Sequence, residues 1–240
     1  GFQDLSLPID RPRPEKPAHA GAREELRIEG QVVRRLQEFC GSLQTTPFVT
    51  LLSAYQVMLA RFSGQDDLVV GCPMANRDHE ELESLIGFFV NTLPYRAQLA
   101  GNPTFRKLVE GNRNRSIEIQ EFRQLPFEKI VEAVNPERSL SRHPIFQVVF
   151  AVQNAPRQQL RLDGLDIAPY RSGTSTTHFD LELHLVPFED TWRGFFLYNT
   201  DLFEQATIIK LRDLFTGAVE SLVGNPDQPV LAPTEAGSLA

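Results

Sequence analysis

Ile86-Gly87-Phe88-Phe89-Val90-Asn91-Thr92-Leu93-Pro94-Tyr95-Arg96 is the stretch on which the reading of this chain turns. Phe89, Val90, Thr92 and Leu93 favour a strand. Gly87, just ahead, permits φ > 0 or a close approach of another backbone. Asn91 is the lone amide in an apolar block. An unpaired buried polar group costs ~1–3 kcal/mol, so one of two things holds. Either the fold satisfies the amide, giving a strand with a hydrogen-bonded core Asn, or the amide faces a cavity where a ligand satisfies it. Pattern alone leaves both open.

Working outward, Glu80 to Leu85 predicts a short helix with its acids in the first turn, where the helix dipole favours them. Before it, Asp67 to Cys72 predicts a buried strand, followed by a polar loop through Asn76-Arg77. Thr46 as N-cap and Pro47 at the first helical position open a helix that Gly64 closes. Val32 to Leu43 carries apolar residues at helical spacing, and Glu24 to Ile28 precedes it as a strand. Downstream, Thr104 caps a helix running to about Phe122. Pro126-Phe127-Glu128 starts another that ends near Val134, and Ile145 to Val152 predicts a strand. Asp163-Gly164 is a hairpin signal. His178 to Leu185 alternates, with Arg193 to Tyr198 pairing back across Glu189-Asp190-Thr191, and Phe203 to Val223 predicts the last helix. Helices and strands alternate, then strands cluster. That predicts an α/β fold, a layered sandwich with a mixed β-sheet and flanking helices. Residues 1–22 are rich in Pro and charge and predict an extended linker rather than part of a core. Residues 23–224 form the body, and the tail over 225–240 reads as a second linker. A chain that opens on a linker reads as a piece of something longer.

Composition narrows the function. The 240 residues are 41% hydrophobic and 23% charged, with a net charge of −7 and 17 Phe against 4 Tyr and 1 Trp. The charge argues against nucleic acid as a partner. No apolar run approaches the ~18 residues of a membrane span and no signal peptide is seen, so the expectation is a cytoplasmic protein with no membrane partner. Cys40 and Cys72 are too few for a disulfide framework or a four-thiolate zinc site and read as buried thiols.

Phosphate-binding glycine loops, G-x-S-x-G and H-E-x-x-H are absent. The sharpest polar pattern is His178, Asp180, Glu182 and His184, which strict alternation puts on one side of a strand. Residues two apart on a strand sit ~6.5 Å apart, so one ion would need further ligands from elsewhere, and no metal is expected. Arg138, Ser139, Ser141, Arg142 and His143 make a second polar cluster, in which Arg142 either forms a fixed salt bridge or meets an anionic ligand.

Three stretches, in order, carry a resemblance. Ile86 to Arg96 resembles the IGxFVNTxxxR motif of nonribosomal peptide synthetase condensation domains. Pro126-Phe127-Glu128 resembles the end of their HQDxPFE motif, and Arg138 to Ile145 their RDxSRNPL motif. There are departures. Phe122-Arg123-Gln124 stands for His-Gln-Asp, Ser139 for Asp and His143 for Asn. The catalytic HHxxxDG motif is absent from the sequence.

The resemblance implies the C-terminal lobe of a two-lobed fold like that of chloramphenicol acetyltransferase, with a tunnel between the lobes. It implies a parent that joins a carrier-bound acyl or peptidyl donor to an aminoacyl acceptor through an amide. The 4'-phosphopantetheine arms of carrier proteins would present the substrates, and the chain itself would bind no cofactor. The implied partners are the N-terminal lobe, donor and acceptor peptidyl carrier proteins and a neighbouring adenylation domain. No catalytic residue lies in this chain, which is expected to be inactive alone. Gly87, Asn91, Arg96, Arg142, His178 and Asp180 are the candidates for the tunnel or substrate side. The competing reading is a non-catalytic module that binds carrier proteins or other domains, drawn from a degenerate condensation, epimerisation or heterocyclisation domain.

Overall fold

The computed structural model describes residues 4–76, 80–82, 85–87, 89–136, 139, 141–153, 165 and 175–231. In chain order its elements are β1 (Ala20–Ile28), α1 (Gly30–Ser42), α2 (Pro47–Ser63), β2 (Asp67–Ala75), a 3₁₀ turn (Glu80–Leu82), β3 (Val90–Gln98), α3 (Phe105–Glu121), α4 (Phe127–Val134), β4 (Val148–Val152), β5 (Ser175–Thr176), β6 (Leu181–Phe188), β7 (Thr191–Asn199) and α5 (Gln205–Gly224). The strands form one sheet in the order β3-β2-β4-β6-β7-β1-β5. β2, β4 and β6 run parallel, and the other pairings are antiparallel. The layered α/β architecture with a mixed sheet is as the sequence predicts.

One face of the sheet carries the main core. α2 lies inside it, buried at every residue from Val49 to Ala60. Its start and stop are locally encoded. Thr46 Oγ1 accepts from the Val49 N–H at 3.3 Å, and Gly64 turns left-handed at φ 73° while its N–H reaches Ala60 O. A helix buried all round must satisfy its own polar side chains. Asn112 of α3 donates from Nδ2 to Ser53 Oγ at 2.8 Å and to Gln56 Oε1 at 2.7 Å. Cys40 and Cys72 are buried free thiols, as expected.

The second face holds a smaller cluster of Val69, Ile145, Phe146 and Val149, covered by Phe127, Ile130 and Val131 of α4 and by Phe179. Phe146 lies so close over β2 that a Cβ on Gly71 would stand 2.2 Å from its ring.

Several expectations shift. The strand predicted from Ile145 begins at Val148. Pro144 to Phe146 is a tight turn, with Phe146 N–H bonded to Pro144 O at 2.9 Å and Ile145 at φ 71°, and this turn aims Ile145 and Phe146 into the second cluster. Of the helix predicted over Glu80 to Leu85, Glu80–Leu82 is a 3₁₀ turn, and residues 83 and 84 lie outside the described residues. The Asp163-Gly164 hairpin signal, Arg77, Phe88 and Arg138 lie outside the described residues.

The amino-terminal segment carries no helix or strand before Ala20 among the described residues, yet Leu5 and Leu7 are buried in the main cluster. Prolines fix an extended backbone there without preventing the leucines between them from packing. At the other end Val230 is fully buried and its N–H bonds Pro103 O. Residues 225–231 therefore pack on α3 instead of leaving the body as a free linker.

Gly71→Ala should destabilise the fold by about 1–3 kcal/mol through overpacking against Phe146. Urea denaturation measures this, and Phe146→Leu in the same chain should recover part of the loss.

Candidate functional site

Asn91 and Gly87 sit at the end of the sheet where β2 and β4 finish. Asn91 lies opposite Met74 of β2. Its Nδ2 donates to two backbone carbonyls of the α3–α4 connection, Arg123 O and Leu125 O, each at 2.8 Å. The fold thus satisfies the amide nitrogen, the first of the two alternatives. Because the acceptors are main-chain oxygens, the replacement of His-Gln-Asp by Phe122-Arg123-Gln124 leaves this contact intact. Gly87 is exposed, and the group close to it is the ring of Phe89, 2.9 Å from where a Cβ would stand.

The three motif stretches meet. Asn91 ties the first to the connection that leads into Pro126-Phe127-Glu128. Phe127 then stacks on His143 of the third, with ring centroids 5.2 Å apart, and His143 also packs against Phe146 and Phe179. Burial among these rings holds the His143 imidazole below its usual pKa, against its backbone hydrogen bonds, which pull the other way.

The remaining candidates lie elsewhere. Arg96 is committed to Asp67 across β2–β3, Nε to Oδ1 at 2.8 Å and Nη2 to Oδ2 at 2.6 Å, and this pairing lowers the Asp67 pKa. Arg142, His178 and Asp180 gather at the opposite end of the sheet, before β4 and β6. Arg142 stands 3.9 Å from Asp4, so its salt bridge is a long one. Asp180 is buried and takes a bidentate pair from Arg13, Nη1 to Oδ1 at 2.8 Å. His178 is exposed, with its ring 4.5 Å from that of His19.

The alternation predicted over His178 to Leu185 does not extend through its first three residues. β6 starts at Leu181, and a bend over 178–180 turns Phe179 into the second-face cluster. The Thr177 hydroxyl fixes the bend by donating to Glu182 Oε1 and accepting from Phe179 N–H. Only Glu182 and His184 keep the expected side-by-side relation, paired at 2.9 Å. Among the described residues no group of His, Cys, Asp or Glu is arranged to hold a metal ion.

The feature that sequence reading missed is a cleft of about 810 Å³ at the carboxyl ends of β2 and β4. Phe48, Met74, Tyr95, Val152 and Trp192 line it, with Arg113 and Ser116 from α3. Burial pushes the Tyr95 phenol up to about 12, so it stays protonated at any working pH. In open α/β sheets ligands bind outside the carboxyl ends of strands. No local pattern announces the cleft, because its walls come from segments far apart in the chain.

A parallel-centred sheet with helices on both faces and a cleft at its strand ends makes a layered α/β domain, in keeping with the fold that the motif resemblance implies. The model of the Condensation domain family matches residues 1–235, and the chain belongs to that family. It is 40% identical over 224 residues to chondramide synthase of Chondromyces crocatus, covering 93% of this chain and 6% of that protein. It is 38% identical over 226 residues to malpibaldin synthetase of Mortierella alpina, covering 94% of this chain and 4% of that one. Among solved structures it is similar to the X-domain from teicoplanin biosynthesis, with TM-score 0.88, 28% identity, 96% of this chain and 53% of that one. It also shares the fold of the four-domain nonribosomal peptide synthetase AB3403 bound to AMP and glycine, with TM-score 0.85, 22% identity and 99% of this chain against 19% of that one. The chain therefore spans a few per cent of the two synthetases it matches in sequence and about half of the X-domain.

Asn91→Asp should destabilise the domain more than Asn91→Ala, because a carboxylate would face two carbonyl oxygens; the alanine change should cost about 1–2 kcal/mol. Thermal or chemical melts of the two variants check the order. The depressed His143 pKa means that the unfolded chain binds the proton more readily. Its contribution is therefore full above the unfolded value of about 6.5 and falls away as pH drops through it. His143→Asn should flatten that slope in denaturation curves taken between about pH 7.5 and 5.

Proposed function

We propose that this chain is the C-terminal lobe of a nonribosomal peptide synthetase condensation domain, working with an N-terminal lobe that carries HHxxxDG. In the reaction the acceptor's amine nitrogen attacks the donor thioester carbonyl. A C–N bond forms, the C–S bond breaks, and the donor's phosphopantetheine thiol leaves with the proton that the amine gives up. The observation that carries this reading is the meeting of three ordered motif stretches through Asn91 and Phe127, in a chain matched by the family model over residues 1–235.

On this reading the lobe supplies one wall of the tunnel and no proton-transferring residue. Asn91 has a positioning role: it holds the α3–α4 connection beside the first motif. The partners are the N-terminal lobe, donor and acceptor peptidyl carrier proteins and a neighbouring adenylation domain. The 4'-phosphopantetheine arms of those carriers bring the substrates, and the setting is cytoplasmic. Among the described residues no helix is long and apolar enough to cross a membrane.

A second reading, a binding module without chemistry, is favoured by one observation. A structure similar to this chain, with TM-score 0.87 and 28% identity, is the X-domain in complex with OxyB from teicoplanin biosynthesis.

Reconstitution separates the two. Chain plus N-terminal lobe, given loaded donor and acceptor carriers, should yield the amide-linked product by mass spectrometry, and the chain alone should yield none. Asn91→Ala in the reconstituted domain should lower turnover about tenfold or more while the fold persists. Product from the isolated chain would place the catalytic group here, and absence of product from an intact two-lobed parent would favour the binding module.

A further inference from the structure

Arg13 stands between Pro12 and Pro14 in the amino-terminal segment. The flanking rings hold its backbone extended before any contact forms. Its guanidinium then reaches two loops at once. Nη1 donates to Ser141 O at 3.1 Å and to Asp180 Oδ1 at 2.8 Å, and Nη2 donates to Asp180 Oδ2. Nε is buried with no hydrogen-bond partner, so the terminal nitrogens make every polar contact. The two loops bracket the aromatic cluster. Ser141 lies in the third motif stretch, just before His143, and Asp180 follows Phe179 in the bend. The His143 and Phe179 rings are 4.8 Å apart, and Phe127 stacks on His143 from the second motif stretch. Gln147 links the same loops from just before β4, accepting from Asp180 N–H and donating to His143 O. Arg13 is the link that comes from another part of the chain.

We propose that Arg13 is a positioning residue for the amide-forming reaction: it clamps the third motif stretch to the bend over 178–180 and thereby fixes the cluster through which the motif stretches meet. The kinetic consequence rests on the proposed function; the clamp itself does not. A planar guanidinium can hold a carboxylate with both terminal nitrogens and still reach a carbonyl. A lysine ammonium is a point charge, which neutralises Asp180 without spanning both loops. A role confined to charge balance is therefore met by lysine, and a clamp is not.

The rings of Phe127, Phe146 and Phe179 displace the imidazole proton resonances of His143. Proton NMR of the 240-residue chain therefore reads the cluster directly, with His143→Asn identifying the signal. Arg13→Lys should keep the melting temperature within about 4 °C of the unsubstituted chain and lose most of that displacement. In the two-lobed domain given loaded carriers, it should lower kcat about tenfold and change KM for each carrier by less than about twofold. Arg13→Gln combined with Asp180→Asn strands no buried carboxylate, so it carries the test should the lysine variant fold poorly, and it should show the same two losses. Arg11→Gln is the control. Arg11 sits in the same segment but bonds Thr200 O and pairs with Glu204, and its loss should move neither readout. His143 resonances that stay in place in both Arg13 variants, a rise in KM with kcat unchanged, or an Arg11→Gln effect equal to theirs overturns the proposal. Failure of the amide-forming reading is a separate result, the absence of product from the unsubstituted two-lobed domain, and the NMR measurement is read without it.

Discussion

The burial of α2 on every side is the constraint from which the rest of the domain follows. A helix with no solvent face cannot be stabilised by an amphipathic stripe; it needs neighbours all round. α1, α3 and α5 supply them on one side and the sheet on the other. Each fully buried Leu or Met contributes about 1.5–3 kcal/mol, which is available only once all of these partners are in place. The same enclosure explains why α3 carries Asn112 on its inner face: Ser53 and Gln56 would otherwise be stranded in an apolar interior.

This arrangement divides the molecule into two ends. At the amino ends of β4 and β6 the buried carboxylates are satisfied internally: Asp180 pairs with Arg13, and Glu182 accepts a hydrogen bond from the Thr177 hydroxyl. A buried pair of this kind is costly to break from one side and gives little reason to expect a ligand. At the carboxyl ends of β2 and β4 the described helices leave a space. The apolar cleft and the Asn91 bridge both lie there.

Much of the fold was legible because its signals are local. Thr46-Pro47 and Gly64 bound α2, Thr104 caps α3, and Glu189-Asp190 joins β6 to β7, each within a few residues. What escaped reading depends on distance along the chain. Asn91 could be singled out as an amide in need of partners, but not which carbonyls would supply them, since those lie 32 and 34 residues on. Leu5 and Leu7 sit among prolines and charges, where composition says linker and only the finished core provides a place for them. Alternation through His178 misled because the Thr177 hydroxyl, bonded to Glu182 and to the Phe179 N–H, holds a bend over 178–180.

Helix α5 has no side-chain cap from Glu204, its own N-cap residue. Asp10 supplies one, accepting from Glu204 N–H at 2.7 Å and from Thr207 Oγ1 at 2.8 Å, across 194 and 197 residues of sequence. An interaction closing so long a loop gains nothing until most of the chain is already ordered. The two ends of the polypeptide are thereby joined in time as well as in space. The first turn of α5 is completed by a residue of the amino-terminal segment. The Glu204 amide is thus held by a side chain 194 residues earlier in the sequence.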